Sequence, residues 1–225
     1  MLALEEVSVP GGRGYDTGLS GASLAVGAGE LALVLLEDGR PRTPLADVAS
    51  GLLAPERGRA TFRGRDWTRM RPDEACAARA RTRRVFAAQG WGDGMGTDEN
   101  LALLEAHHTR RPRAAIADEA HDRCRAFGLP GLPLDRPSDL RERDLRRAAC
   151  ARAFVGEADL YAIERPELAN WPDLMPALVA HVRGALARGA AVLWLTDELG
   201  VWRDPGVRAA RRLRFSGPLL AEEAS

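Results

Sequence analysis

The chain has 225 residues, of which 45% are hydrophobic and 28% are charged, and its formal net charge is +0. This balance is typical of one globular domain with a sizeable core, and it provides no overall field that would attract nucleic acid. All 32 basic residues are arginine, which excludes any mechanism that depends on a lysine.

The first 90 residues predict a series of short strands separated by turns. Residues 30–36 (ELALVLL) form a continuous apolar run, which is typical of a strand buried on both faces of a sheet. Thr43 and Pro44 predict the start of a helix that reaches Ser50, because proline suits the first helical position. The other strands are expected at residues 2–9, 22–26, 61–63 and within 79–86.

The rest of the chain predicts a block of helices followed by two more buried strands. Residues 98–155 are expected to be mostly helical, with an interruption near 128–137. Strands at 160–163 and 191–195 flank a helix from about 175 to 188. Strands that alternate with helices predict an α/β domain with a largely parallel sheet, and the block of helices predicts a subdomain inserted into it.

Several short strings lie in the order and at the distances found in one protein family. They are residues 51–58 (GLLAPERG) with 62–66 (FRGRD), 137–140 (PSDL), 147–160 (RAACARAFVGEADL) and 192–197 (VLWLTD). Together they resemble the ATP-binding cassette, which is the nucleotide-binding subunit of an ABC transporter. The resemblance covers nearly the whole chain.

The resemblance implies a fold and a domain organisation. The expected fold class is α/β: a P-loop NTPase-like ABC ATPase core with a parallel sheet, an antiparallel β subdomain and an inserted helical subdomain. Residues 1–225 would form a single cassette domain. Its core is expected at about 1–90 and 156–225, and its helical subdomain at about 91–155.

The phosphate loop of the family, G-x-x-x-x-G-K-[ST], falls on residues 36–43 (LEDGRPRT). A working loop needs glycines so that backbone N–H groups can surround the phosphates, together with a lysine that reaches them. Leu36 and Pro41 stand in place of those glycines, and Glu37 and Asp38 bring carboxylates to the position of the phosphates. Thr43 could hold Mg²⁺ through its hydroxyl, although a role as helix N-cap is favoured. The candidates that remain for cofactor binding are Gly39, Arg42 and Thr43.

The catalytic positions of the family are also substituted. The Walker B aspartate and the catalytic glutamate fall on Glu164 and Arg165, and the switch histidine falls on Asp197. Glu164 could still hold Mg²⁺, whereas Arg165 cannot act as a general base because arginine stays protonated. No catalytic residue and no metal site are therefore predicted, and the expected cofactor is either none or weakly bound ATP with Mg²⁺.

Other conserved elements of the family have lost their characteristic residues. The aspartate of the D-loop falls on Trp171, and the loop glutamine falls on Ala87, with Gln89 two residues too late. Tyr15 is the aromatic residue closest to the expected adenine-stacking position. The signature L-S-G-G-Q, without its serine and glycines, falls on Leu140, Arg141, Glu142, Arg143 and Asp144.

The glycine-rich loop 90–96 (GWGDGMG) is the expected docking site for a membrane partner. In cassettes the permease inserts a short helix beside this loop, and Trp91 and Met95 offer apolar anchors for it. The alternative is that Trp91 packs back onto the core and that the glycines only form a turn. The arginine-rich run 79–84 is interpreted as a solvated face paired with local acids, not as a nucleic-acid site.

These patterns favour a degenerate cassette without ATPase activity that is a structural or regulatory subunit of an ABC transporter. Its expected partners are a membrane permease and a second cassette, of the same or a different chain, with no nucleic acid. It is expected at the cytoplasmic face of the inner membrane as a peripheral protein.

The substrate class and two alternative functions complete the interpretation. Residues 99–109 (ENLALLEAHHT) resemble cassettes of the Mla/MCE phospholipid-transport branch, which implies a role in lipid transport. The first alternative is an ATPase with an unorthodox site built on Arg42, Thr43 and Glu164. The second is an interaction module that acts outside transport.

Overall fold

The computed structural model of the chain describes residues 1–12, 14–36, 42–87, 90–166 and 173–223. Its strands are β1 (Leu2–Val9), β2 (Leu19–Val26), β3 (Leu31–Leu36), β4 (Arg57–Phe62), β5 (Arg65–Asp66), β6 (Thr82–Val85), β7 (Leu160–Glu164), β8 (Ala191–Thr196), β9 (Arg211–Ser216) and β10 (Leu219–Glu222). Its α-helices are α1 (Leu45–Ala49), α2 (Pro72–Arg79), α3 (Thr97–His108), α4 (Arg113–Ala126), α5 (Glu142–Ala153), α6 (Leu174–Ala187) and α7 (Leu199–Arg203).

A six-stranded sheet with the order β10-β9-β3-β8-β7-β6 forms the centre of the fold. The strands from β9 to β6 pair in parallel, and β10 adds an antiparallel edge. A second sheet, with the order β2-β1-β4-β5, is antiparallel throughout. The predicted α/β class, with a parallel sheet and a separate antiparallel sheet, is confirmed.

Strand β3 shows how the two sheets and the helices share the interior. Leu33 and Leu35 are buried in a cluster with side chains of α3 to α6, whereas Val34 and Leu36 are buried in a second cluster with the antiparallel sheet. Neighbouring residues of a strand point to opposite faces of the sheet. Burial on both faces therefore explains why this strand is apolar at every position, as the sequence predicted.

Helices α3, α4 and α5 pack against one another on one side of the central sheet. Their shared interior includes Leu101, Ile116 and Ala148, all of which are buried. The three helices lie within the range expected for the helical subdomain. The exact division of the chain into core and subdomain stays a prediction.

The C-terminal elements α7, β9 and β10 are the part of the fold that the sequence did not predict. In β9, Leu213 and Phe215 are buried, while the three arginines of the strand, Arg211, Arg212 and Arg214, are more exposed. Such a strand has only two apolar side chains on its inner face, and its arginines hide the period-2 pattern. Helix α2 was missed as well, because Ala75 is its only buried residue.

Candidate functional site

The carboxyl ends of the parallel strands meet along one edge of the six-stranded sheet. Glu164, the last residue of β7, pairs in register with Leu195 of β8, which in turn pairs with Val34 of β3. The crevice outside the carboxyl ends of parallel strands is the usual place for ligands in open α/β sheets. This edge is therefore the candidate site, and among the described residues it holds Leu36 at the end of β3 and Glu164 at the end of β7.

The predicted phosphate loop lies only partly within the described residues. Gly39, Glu37, Asp38 and Pro41 fall outside them, so those predictions stay as they were made. Leu36 is described as the buried last residue of β3.

Arg42 and Thr43 lie just before helix α1 and contact protein groups. Arg42 N donates a hydrogen bond to Asp16 Oδ2 at 2.7 Å, and Asp16 N donates to Arg42 O at 2.9 Å. Thr43 is buried, and its Oγ1 accepts a long hydrogen bond of 3.4 Å from Leu45 N. The N-cap of α1 is Pro44 and the helix has no side-chain capping hydrogen bond, so the prediction of Thr43 as the N-cap was wrong by one position.

A buried ionic cluster lies where Glu164 ends strand β7. Arg84, from the neighbouring strand β6, donates a hydrogen bond through Nη2 to Glu164 Oε1. Its Nη1 donates to Asp47 Oδ1 at 2.9 Å, to Ser50 Oγ at 2.7 Å and to Ala46 O at 3.1 Å. The side chains of Arg84 and Glu164 are only 7% and 13% exposed, so the solvent screens this pair weakly. Arg84 therefore ties the end of β7 to helix α1.

Tyr15 extends this cluster on the side of Asp47. Its hydroxyl donates to Asp47 Oδ2 at 2.6 Å, and the Arg42 guanidinium lies 5.6 Å from the centroid of its ring. Burial, followed by the hydrogen bond and the negative charge of Asp47, raises the pKa of Tyr15 to about 12. Tyr15 is thus a protonated hydrogen-bond donor at neutral pH.

The described residues do not fit a Mg²⁺–nucleotide complex at this position. Protein-bound Mg²⁺ depends on one or two carboxylates together with water and substrate phosphates. The carboxylate of Glu164, the Walker B position, is already paired with Arg84. Burial raises the pKa of Glu164, and the positive charge of Arg84 opposes that increase. A metal ion would have to displace a guanidinium that already neutralises this carboxylate.

The positions of the catalytic glutamate and the switch histidine hold opposite charges that face each other. Arg165 Nη1 lies 4.0 Å from Asp197 Oδ2, with the two side chains 22% and 10% exposed. Arg165 has a left-handed backbone with φ 42°, and its N–H donates to Leu195 O at 2.8 Å. A guanidinium cannot accept a proton from water, so this arrangement lacks a general base at the expected place.

The signature positions lie at the start of helix α5. Arg141 precedes the helix, and Glu142, Arg143 and Asp144 lie in its first turn. Arg143 Nη2 donates to Asp173 Oδ2 at 2.8 Å, and Arg147 binds the same carboxylate. These ion pairs tie the start of α5 to the start of α6. The D-loop position, Trp171, and Gln89 lie outside the described residues.

An open groove lies beside the glycine-rich loop, and we call it the lateral groove. It has a volume of about 330 Å³, and its lining includes Leu52, Arg79, Met95, Leu103 and Arg152. An adjoining cavity of about 430 Å³ is lined by Trp91 and shares Phe86 with the groove. Trp91 is partly buried against the core, as expected if it packs back onto the protein. It also lines a cavity, as expected if it serves as an anchor for a partner.

Sequence reasoning missed Arg84 and Asp47, and its interpretation of the run 79–84 as a solvated face was wrong for two residues. Arg83 is buried and paired with Glu105 at 2.6 Å, and Arg84 is paired with Glu164. The pairing with acids was predicted, but the burial of these two side chains was not. The available signal was that two arginines lie inside a short strand, where a buried charge must have a partner.

Two further features were tested across the part of the chain that the structure describes. In those residues, no group of three or more histidine, cysteine or acidic side chains is arranged to hold a metal ion. None of the described helices has both the length and the apolar character of a membrane span.

Comparison with known sequences reveals distant relatives. No protein-family model matches the chain. The chain is 28% identical over 161 residues to the intermembrane phospholipid transport system ATP-binding protein MlaF of Haemophilus influenzae, covering 72% of this chain and 61% of that protein. It is 28% identical over 167 residues to MlaF of Escherichia coli, covering 74% and 62%. The match therefore spans less than two thirds of these relatives.

Comparison with solved structures concerns the fold. The dimeric structure of MJ0796, a bacterial ABC transporter cassette, matches with a TM-score of 0.82 at 17% identity, covering 97% of this chain and 95% of that one. A post-hydrolysis state of the same cassette, bound to ADP and Pi, matches with a TM-score of 0.84, covering 99% and 98%. The fold and the resemblance that the sequence indicated are thereby confirmed.

Proposed function

We propose that this chain, which has the fold of an ATP-binding cassette and resembles the nucleotide-binding subunits of ABC transporters, is a non-hydrolysing subunit of such a transporter. It acts as a structural or regulatory partner of a membrane permease. The observation that supports this best is the buried pair of Arg84 and Glu164, which occupies the Walker B carboxylate with an internal cation.

The charges around this pair support weak nucleotide binding or none. Polyphosphate and Mg²⁺ bring a concentrated set of charges that the site must compensate. Here Glu164 and Asp47 are compensated by Arg84, and Asp47 is also bound by Tyr15. Binding of MgATP would have to break these contacts, so the expected cofactor is none or weakly bound ATP with Mg²⁺.

The position of the general base supports the absence of turnover. Hydrolysis needs a group that accepts a proton from, or orients, the attacking water. Arg165 occupies that position and faces Asp197. An ATPase built on Arg42, Thr43 and Glu164 would need Glu164 to leave Arg84, and no contact of the described residues favours that alternative.

The sequence relatives support a transport role that involves lipid. MlaF is named as the ATP-binding protein of an intermembrane phospholipid transport system. This similarity supports the proposal that the chain is a peripheral subunit of a lipid transporter at the cytoplasmic face of the inner membrane. It would pair there with a second cassette of the same or a different chain.

The docking site for the permease is proposed at the cavities lined by Trp91 and Met95. Trp91 lines the larger cavity and Met95 lines the lateral groove, and both side chains remain partly exposed. Partly exposed large apolar side chains are typical anchors for a partner helix. If docking to the permease is the function of this chain, Trp91 and Met95 are required for it and nucleotide binding is not.

Steady-state phosphate release from ATP tests the central proposal. The purified chain is expected to show no turnover above that of the Glu164→Ala variant, which controls for contaminating ATPases. Turnover that persists through further purification and disappears in Glu164→Ala would contradict the proposal and favour the unorthodox ATPase.

Co-purification with the permease tests the transporter role. The Trp91→Ala, Met95→Ala double variant is expected to lose the permease while it keeps its melting temperature. Leu219→Ala is a matched control, because Leu219 is an exposed apolar residue, 58% exposed, that lines neither cavity. Full retention of the permease by the double variant would remove the proposed docking site.

A further inference from the structure

The lateral groove has the size and the lining of a small-molecule site. Such sites are concave, mostly apolar and about 300–1,000 Å³ in volume, with a few polar groups that fix the orientation of the ligand. The groove has a volume of about 330 Å³. Of its lining residues, Leu101 and Val155 are buried, whereas Leu52 and Leu103 are 54% and 51% exposed. The chain therefore leaves part of this apolar lining uncovered.

The loop that borders the groove is held in place by Asn100, a buried residue of helix α3. Asn100 Oδ1 accepts a hydrogen bond of 2.7 Å from Gly92 N, and its Nδ2 donates to Gly96 O at 2.9 Å. Met95, which lines the groove, belongs to the same loop. Because the groove is already formed, a ligand does not have to order this loop when it binds.

The acidic side chain of the groove is already compensated. Glu105 is paired with Arg83 at 2.6 Å and with Arg111 at 3.1 Å. Arg84, another arginine of the lining, is paired with Glu164. Among the described lining residues, no acid is therefore left to pair with the other two arginines of the groove.

Those two arginines, Arg79 and Arg152, have only backbone carbonyls as hydrogen-bond partners within the described residues. Arg79 Nη1 donates to Gly51 O at 3.2 Å, and Arg152 Nη1 donates to Gly90 O. Neither has a carboxylate within ion-pair distance in the part of the chain that the structure describes. The groove therefore combines an apolar lining with two positive charges that lack a counter-charge.

Arg152 offers the donor that an anionic ligand needs. Its guanidinium lies 4.2 Å from the centroid of the Trp91 ring, and its Nη2 is buried without a hydrogen-bond partner. Burial lowers the pKa of Arg152 to about 10, so this side chain is still a cation at neutral pH. A buried donor without a partner costs free energy, and an acceptor that reaches it recovers this cost.

The adjoining cavity is a poorer site for an anion. Its lining includes Asp93 and Glu142 beside Arg146, so positive and negative groups are mixed there. Charge therefore distinguishes the lateral groove from its neighbour.

We propose that the lateral groove is a binding site for a fatty acid, which is a single acyl chain with a carboxylate head group. The chain lies against Leu52, Met95 and Leu103. The carboxylate binds Arg152 through charge-assisted hydrogen bonds, with Arg79 as the second cation. The volume of the groove accommodates about ten methylene groups, if each is about as large as the ~30 Å³ share of a water molecule.

This site goes beyond the proposed function and does not depend on it. Met95 also belongs to the docking site proposed for the permease, so a bound fatty acid and the permease would compete for this side chain. Binding of the ligand itself is measured on the chain alone.

Isothermal titration calorimetry of the full chain tests the site with three probes of equal chain length. The probes are octanoate, octanol and octyltrimethylammonium, which are negative, neutral and positive at neutral pH, and each is kept below the concentration at which it forms micelles or separates from water. Octanoate is expected to bind about tenfold more tightly than octanol, because it gains a hydrogen bond between charged groups. Octyltrimethylammonium is expected to bind most weakly.

A fourth probe, decanoate, tests the apolar part of the groove. It is expected to bind about tenfold more tightly than octanoate, because each additional buried methylene group contributes about 0.8 kcal/mol.

Two variants with matched controls locate the site. Arg152→Gln should reduce the affinity for octanoate to that for octanol, whereas Arg125→Gln should leave it unchanged, because Arg125 is exposed and lines neither cavity. Leu103→Asp adds a negative charge to the apolar lining and should weaken the binding of octanoate at least about tenfold. Leu219→Asp is its control, because Leu219 is 58% exposed and lines neither cavity.

Four results would overturn the inference: equal affinity for octanoate and octyltrimethylammonium, equal affinity for octanoate and decanoate, equal effects of Arg152→Gln and Arg125→Gln, or full binding by Leu103→Asp. If Arg152→Gln unfolds the chain, Arg79→Gln replaces it, and an unchanged preference for octanoate over octanol then counts against the site. ATP turnover by the chain would refute only the proposed function, and absence of fatty-acid binding would refute only this site.

Discussion

The turn region 51–66 and the carboxyl edge of the central sheet hold their structure in different ways. In the turn region, Gly51 and Gly58 have φ of 68° and 77°, and the rings of Phe62 and Trp67 stack with centroids 5.4 Å apart. At the sheet edge, Glu164 is held by Arg84. The first region depends on backbone shape and on the packing of aromatic rings. The second depends on charges that neutralise one another, so that Arg84, Asp47 and Glu164 depend on one another for their burial.

Removal of Arg84 is expected to have the largest effect on stability, because it removes the cation of the sheet edge. Arg84→Met leaves the buried carboxylate of Glu164 without its cation and leaves Asp47 with Tyr15 as its hydrogen-bond donor, and it is expected to lower the free energy of unfolding by about 3–5 kcal/mol. Urea denaturation measures the change. Adding Glu164→Met to Arg84→Met is expected to recover part of the loss.

Arg81→Met is the matched control for that experiment. Arg81 pairs with Asp159 at 2.6 Å, but its side chain is 45% exposed, so the expected cost is below about 1 kcal/mol. Equal costs for the two variants would show that the sheet edge does not depend on its buried pair.

The turn region should respond to a change of backbone shape. An added Cβ at Gly58 would lie 2.3 Å from Glu5 O and Glu6 O, so Gly58→Ala combines a clash with backbone atoms and an unfavourable φ. The expected loss is about 2–4 kcal/mol of unfolding free energy.

Gly64→Ala separates these two causes. Gly64 has φ 76° but no atom within 4 Å of an added Cβ, so only the conformational strain remains. Its expected cost is about 1–2 kcal/mol. If Gly58→Ala costs no more than Gly64→Ala in thermal or urea denaturation, close packing does not define this turn.

Two tyrosines extend the comparison to hydrogen bonding. Tyr15→Phe removes a 2.6 Å bond to the charged Asp47 and is expected to cost about 1–2 kcal/mol in urea denaturation. Tyr161 is buried in the core, and its hydroxyl has no hydrogen-bond partner in the described residues. Tyr161→Phe should therefore be neutral or stabilising, and a larger loss there than at Tyr15 would contradict this assignment.

The smallest expected effect concerns pH. Burial between the rings of Phe127 and Phe154 lowers the pKa of His181, with Arg123 and Arg188 acting in the same direction and the Ala177 carbonyl opposing. A lowered pKa gives stability that is present above the unfolded value, near 6.5, and that is lost as the pH falls through the folded value. His181→Gln should flatten this acid loss.

The stability contributed by Glu164 should change with pH in the opposite direction to that of His181. Its pKa is raised by burial, so the folded chain binds more protons than the unfolded chain just above the ordinary carboxyl range. Stability contributed by its protonated form is therefore lost as the pH rises through the folded pKa. Denaturation curves of the Glu164→Gln variant from pH 4 to pH 8 check this. An unchanged profile in both variants would mean that neither group sets the pH dependence.

The sequence predicted most of the fold because the fold rests on local signals. The apolar run of β3 and the strings at 51–58 and 147–160 each specify an element and its neighbours. The candidate site was predicted only as a set of substitutions. Arg84 is 37 residues from Asp47 and 80 from Glu164 along the chain, so no local pattern indicated that they form one cluster.

The C-terminal strands were missed for a related reason. Strand β9 pairs with β3 through Leu213 and Phe215, and Arg212 and Arg214 lie on its other face, so the pairing becomes visible only in the assembled sheet. Propensity is a weak guide where tertiary pairing decides the structure.

The pair of Arg84 and Glu164 also has an evolutionary consequence. A mutation that replaced a single member of this cluster would leave its partners unpaired and buried, and the resulting loss of stability would be selected against. Several coordinated changes, at Arg84 and at its partners, would have to occur together. Such a cluster acts as a ratchet: once it has formed, single substitutions within it are costly, whereas residues on the surface around it can change far more easily.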